Sequence, residues 1–265
     1  MNTALQLGDA IAPPNIIPLL ASYNLMPQFL CESIIDAAIA SISCTQAEIN
    51  HALEQFYQHW DLKTDKKIQD WCLRYGFHHQ QVKILATRKL RIEKFKQATW
   101  GNQLESYFLQ RKRQLDKVIY SLIRIENRGT ANELFFRIAE GEQVFAELAK
   151  EYSQGLEADT GGIIGPVEFG SITPNFAQLL YTSQVGVVQS PVPWGNLWVI
   201  VRVEKIIPAQ LDDFMRQRLL QENFEAWLQQ QISQLSPEEK LWMGVGLSHA
   251  ETHTSTSLSN QRRGE

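Results

Sequence analysis

The chain has 265 residues, 44% of them hydrophobic, and a formal net charge of −4. That is room for two cores, with no basic excess to draw nucleic acid or an anionic membrane surface. No stretch reaches the roughly 18 uninterrupted apolar residues of a membrane span.

Residues 1–17 read as a flexible N-terminus. Met1–Pro14 holds no Lys or Arg and is interrupted by Pro13-Pro14 before a signal-peptide core can form, so no export leader is expected. The three cysteines, Cys31, Cys44 and Cys72, are an odd number; Cys31 and Cys72 are set singly on apolar helical faces. They fit reduced thiols in a cytoplasmic protein better than a disulfide framework.

Residues 18–115 read as all helical. An apolar stripe through Phe29, Ile34, Ile35, Ala38 and Ile42 predicts a helix over 26–42. Thr45 with Glu48 forms a capping-box signature for a second helix, carrying Ile49, Leu53, Phe56 and Tyr57 and running to Trp60. Helices are predicted over 66–75 and 80–98, and Leu104, Tyr107 and Phe108 mark another. Trp60, Trp71 and Trp100 are expected to anchor the packing between helices. The basic run Lys83, Arg88, Lys89, Arg91, Lys94 and Lys96 is interleaved with Leu90, Ile92 and Phe95 and broken by Glu93, which predicts a solvated helix face. His78-His79 is a lone pair at a helix start, without a second cluster at ligand spacing, so no metal is expected.

Residues 116–208 change period. Val118–Ile125 (VIYSLIRI) and Leu197–Val203 (LWVIVRV) are rich in β-branched and aromatic residues and predict two strands side by side in a small antiparallel sheet. Between them, 130–140 and 143–153 carry Leu134, Phe135 and Ile138, then Phe145, Leu148 and Ala149, at helical spacing. Gly161-Gly162 predicts a turn with positive φ before a strand near Ile163. The fold class is α+β, with this domain inserted between the helical region and a long amphipathic helix. That helix, within 209–243, carries Leu211, Phe214, Met215, Leu219, Phe224, Trp227, Leu228 and Ile232 over 210–232 and is expected to cover the helical region. Residues 244–265 turn to Ser, Thr, His and Arg and read as a disordered tail.

The run FAELAKEYS, TGGIIGPVEFG, ITPNFAQLLY and SPV places Tyr152, Ser153, Gly161, Gly162, Gly165, Phe169, Phe176, Ser190, Pro191 and Val192 in an order that resembles parvulin-type (PpiC-like) peptidyl-prolyl cis/trans isomerases. The resemblance implies a pocket for proline made by Phe169, Ile172 and Phe176, with Ile172 in place of the more usual methionine. Family members typically carry a histidine on the first strand, another on the last, and a cysteine or aspartate in the loop after Tyr-Ser. Ser121, Val199 and Gly155 align there, and Ile163 replaces the usual aspartate after the Gly pair. Histidine and cysteine are absent from the domain: the six histidines are His51, His59, His78, His79, His249 and His253.

Isomerisation breaks no bond and needs no nucleophile, so hydroxyls from Ser121, Tyr120 and Ser190 are candidate auxiliary groups. The resemblance implies a peptidyl-prolyl isomerase with a folding-helper role, acting without cofactor on unfolded or precursor polypeptides that contain X-Pro, with an exporter-bound client as one case. The helical region adds a resemblance, in order and helix content, to export chaperones with parvulin domains. A peptide-holding chaperone with little catalysis, and an adaptor that keeps only the scaffold, are the alternatives.

Overall fold

The computed structural model describes residues 13–243. The chain divides into two compact units, one of residues 1–102 with 220–265 and one of residues 103–219. The expected tail at 244–265 lies outside the described residues.

The helical unit holds α1 (Pro13–Ser22), α2 (Met26–Ile39), α3 (Gln46–His59), α4 (Asp65–Tyr75) and α5 (His79–Trp100). Residues 13–17, read from sequence as flexible, begin α1, because Pro13-Pro14 occupies first-turn positions where no intrahelical N–H is needed. At α3, Thr45 Oγ1 accepts from Glu48 N and Thr45 N donates to Glu48 Oε2 at 2.7 Å, the reciprocal pair of a capping box. Much of the basic run of α5 is not a solvated face. Arg88 donates to Glu32 and Asp36 of α2, Arg91 to the carbonyls of Ile39 and Ile42, and Lys94 to Glu48. Those carbonyls lie at and just past the end of α2, where guanidinium donors satisfy groups the helix cannot.

The long helix α10 (Asp213–Ser233) is counted with this unit from Leu220 onward. Phe224 and Trp227 meet Phe95 and Trp100 with ring centroids 5.2–6.5 Å apart, and buried Lys96 donates to Gln221. Instead of one C-terminal helix there are two. Ser236 caps a separate α11 (Pro237–Trp242), accepting from Glu239 N while its own N–H donates to the Glu239 carboxylate.

The second unit is built on a four-stranded antiparallel sheet of order β2-β1-β4-β3: β1 (Lys117–Ile125), β2 (Ile163–Glu168), β3 (Val188–Trp194) and β4 (Leu197–Ile207). The unit also includes α6 (Leu104–Leu115), which precedes β1. The Ser-Pro-Val run lies inside β3, an edge strand, where Pro191 and Pro193 need not donate to a central ladder. Alternation along β1 and β4 makes two cores. Ile123, Ile125 and Ile200 pack with α7 (Arg128–Ala139) and α8 (Phe145–Tyr152) through Ala131, Leu134, Phe145, Leu148 and Ala149. Val118, Tyr120, Leu122, Val199, Val201 and Val203 face the other way, toward Phe169, Phe176 and Leu180. The last two belong to α9 (Pro174–Thr182).

Gly161 (φ 64°) and Gly162 (φ 88°) adopt the left-handed conformation expected of them. At Gly162 a Cβ would also meet the Leu122 carbonyl oxygen at 2.9 Å, and it is this close approach that lets Leu122 N donate to Gly162 O.

Candidate functional site

On the Val118–Leu122 face of the sheet lies a cavity of about 320 Å³. Its apolar wall is Leu122, Ile164, Val167, Ile172, Phe176, Trp194 and Val199, and its polar members are Tyr120, Arg124, Ser171 and Thr173. Phe176 is held on two sides, its ring 4.8 Å from that of Trp194 and 5.6 Å edge-to-face from that of Tyr120. Such contacts fix the rings beyond what area burial alone does. Ile172 follows a short 3₁₀ turn, Phe169–Ser171, in which Ser171 Oγ donates to Glu168 O at 2.7 Å. Glu168 in turn accepts from both terminal nitrogens of Arg218, which hold its carboxyl below the usual carboxylate range.

Of the residues predicted for the pocket, Ile172 and Phe176 line the cavity. Phe169 does not: it is buried beneath, its ring 5.4 Å from that of Tyr181. The predicted hydroxyls separate. Tyr120 lines the cavity, and burial raises its pKa, so the phenol stays neutral. Ser121 is corrected: it sits on the opposite face of β1, 1% exposed, and donates to Glu204, which also accepts from Arg202. Successive strand residues point to opposite faces, so a one-residue shift in aligning β1 exchanges the faces, and the cavity-facing residues are Tyr120, Leu122 and Arg124. Val199 faces the cavity, and exposed Ser190 on β3 does not line it.

Sequence reasoning missed Arg124 and Glu157. Arg124 donates through Nε to Glu157 Oε1 at 2.8 Å and through Nη2 to Oε2. The Ser153 hydroxyl donates to the same carboxylate at 2.6 Å and accepts from Arg124 N at 3.0 Å. Burial pushes the Glu157 carboxyl up, but the bonds from Arg124 and Ser153 outweigh it and leave the group below its ordinary range. The one local signal is a guanidinium inside an otherwise apolar run, VIYSLIRI. Its carboxylate partner, 33 positions later, leaves no local mark.

Among the described residues no group of three or more His, Cys, Asp or Glu side chains is placed to hold a metal ion.

Residues 124–205 match the family model described as "Rotamase: PPIC-type PPIASE domain". A foldase protein PrsA from Halalkalibacterium halodurans is 25% identical over 211 residues, 75% of this chain and 62% of that protein. A chaperone SurA from Hahella chejuensis is 32% identical over 112 residues, 40% of this chain and 26% of its own length. The crystal structure of a peptidylprolyl isomerase (PrsA) from Bacillus cereus covers 92% of this chain, and 91% of that chain is covered, at 18% identity and a TM-score of 0.44. The chain spans less than two thirds of the length of the curated relatives it matches first, 62% and 60%.

Proposed function

We propose that this chain, which carries a PPIC-type PPIASE domain, catalyses cis/trans isomerisation of X-Pro bonds in unfolded or precursor polypeptides and so assists their folding. The observation that carries this reading is the cavity walled by Ile172, Phe176 and Trp194. An apolar recess of this size takes a proline ring and removes water from the imide beside it. Rotation crosses a barrier of roughly 18–20 kcal/mol because amide resonance is lost at the twisted midpoint. A site that grips the ring and favours the twisted form over either planar form accelerates it without nucleophile or cofactor.

The experiment is NMR exchange spectroscopy on short X-Pro peptides, with several residue types before the proline. Exchange enhanced by the protein and lost in Phe176→Ala, with the sheet's own signals retained, supports the reading. Shifts of cavity signals without faster exchange would overturn the catalytic part of it.

A second reading is favoured by the helical unit. Trp60, Leu73 and Tyr75 are exposed there, the first and last within an aromatic cluster around Trp71, and Leu53, Tyr57 and Leu62 line a cavity of about 400 Å³. Such a surface suits a holdase for unfolded chains, including one bound for an exporter. Peptide-induced shifts confined to the helical unit would favour holding over isomerisation. The free thiols of Cys31, Cys44 and Cys72 support a reducing, cytoplasmic setting, which thiol counting on protein isolated without reductant tests.

A further inference from the structure

Among the described residues that line the cavity, Arg124 carries the only charged side chain. Its guanidinium is not a loose surface group. Nε and Nη2 are engaged by the Glu157 carboxylate, whose side chain is 1% exposed, and the Ser153 hydroxyl completes the carboxylate's partners. A planar fork held at one edge leaves Nη1, at its other corner, with a fixed orientation and little rotamer entropy left to lose.

A second, independent observation concerns Gly155. Its backbone is extended (φ −116°, ψ 173°), a conformation any residue adopts, so glycine is not required there by the turn. Space requires it instead. A Cβ at 155 would overlap Glu157 Oε2 and the Arg124 guanidinium carbon and Nη2. The volume that a side chain at 155 would fill is therefore occupied by the Arg124–Glu157 pair. Ser171, another polar member of the lining, is committed through its hydroxyl to a backbone carbonyl.

We propose that Arg124 is a catalytic hydrogen-bond donor in this cavity, directed at the imide nitrogen of the bound X-Pro bond, with Glu157 and Ser153 as its positioning residues and Gly155 providing the room. This rests on the isomerase reading above. The imide nitrogen is part of the proline ring, so a pocket that seats the ring also seats the nitrogen. In the planar states its lone pair is delocalised into the carbonyl and accepts poorly. At the twisted midpoint the lone pair localises on nitrogen, and an N–H donor gains strength there and nowhere else along the rotation. The carboxylate keeps the guanidinium's net charge balanced, so the donor serves peptides without demanding an acidic residue beside the proline. No bond is made or broken, and no proton is transferred.

The test uses the full chain and the X-Pro exchange assay, with peptide affinity read from the same titration. Arg124→Leu/Glu157→Gln, which leaves no carboxylate buried alone, is expected to lower the exchange enhancement about tenfold to a hundredfold while peptide Kd changes less than about threefold. Gly155→Ala leaves both charged groups in the sequence and displaces them, because the atoms it meets are the far ends of flexible side chains. It is expected to slow exchange about tenfold and to move the Arg124 Nε–H resonance, with the remaining amide spectrum unchanged. Arg124→Lys, which keeps the charge but not the fork, should fail to restore the rate. Wild-type enhancement retained in the double variant and in Gly155→Ala overturns this proposal alone. No enhancement by the wild type overturns the isomerase reading and this proposal together.

Discussion

The two faces of the sheet are made from the same strands and do opposite things. On one, Ile123, Ile125 and Ile200 meet Phe145 and Leu148 across a filled interior. On the other, Tyr120, Leu122 and Val199 pack with Phe176 of α9 and together with it leave a cavity at one part of that face. Neighbouring positions on β1 thus belong to different tasks. Leu122 lines the cavity, whereas Ser121 and Ile123 hold the opposite face. Hydrophobicity alone does not separate a packed face from a receptive one, because both are apolar. What separates them is whether the opposing helices supply enough side-chain volume to close the space.

Substitutions can break or sharpen that contrast. The largest effect is expected on the filled face. Phe145 is 1% exposed, and Phe145→Ala should cost about 3–5 kcal/mol of stability, measured by chemical denaturation. If it costs less than Phe176→Ala on the cavity side, the assignment of filled and receptive faces is reversed.

A smaller effect is expected at the cavity's edge. Glu157→Gln should cost about 1–2 kcal/mol near neutral pH, discounted because Arg124 is partly exposed. A carboxyl held below its ordinary range stabilises the fold fully above the unfolded-chain value near about 4.3 and loses that contribution as pH falls through its folded value. The stability difference between wild type and Glu157→Gln should therefore be constant above about pH 5 and shrink on acidification. A difference that grows as pH falls would contradict the pairing with Arg124.

The smallest change is expected at Ser121. Ser121→Ala removes the bond to Glu204 and should cost about 1 kcal/mol, with peptide affinity and exchange rate unaltered because the hydroxyl lies on the far face. A change in peptide binding would mean that Ser121 reaches the cavity after all.

Elements with a strong local period are legible in the residues themselves: β1 and β4, the helices carrying Leu134 and Phe145, the Thr45 cap and the left-handed Gly161-Gly162 turn. The family resemblance points to Phe169, Ile172 and Phe176 as a pocket; Ile172 and Phe176 line the cavity, and Phe169 is buried beneath it. Legibility fails where the outcome depends on pairing. The basic residues of α5 look like a solvated face until α2 and α3 are set against them with Glu32, Asp36 and Glu48. The break between α10 and α11 is hidden for a different reason: the Ser236–Glu239 cap is a local signal, but it follows a long amphipathic pattern that draws the eye past it.

By itself the sequence determined β1 and β4, most of the helices and their order, and the α+β class, since those follow from side-chain periods of 2 and 3.6 and from cap and turn chemistry acting within a few residues. Only the tertiary structure decided that Ser121 faces away while Leu122 and Arg124 face the cavity, that Arg124 finds Glu157, and that the empty position at Gly155 is the space the pair occupies. Those outcomes depend on strand register and on contacts between residues distant along the chain. A shift of one residue reverses every face while leaving the local pattern nearly unchanged.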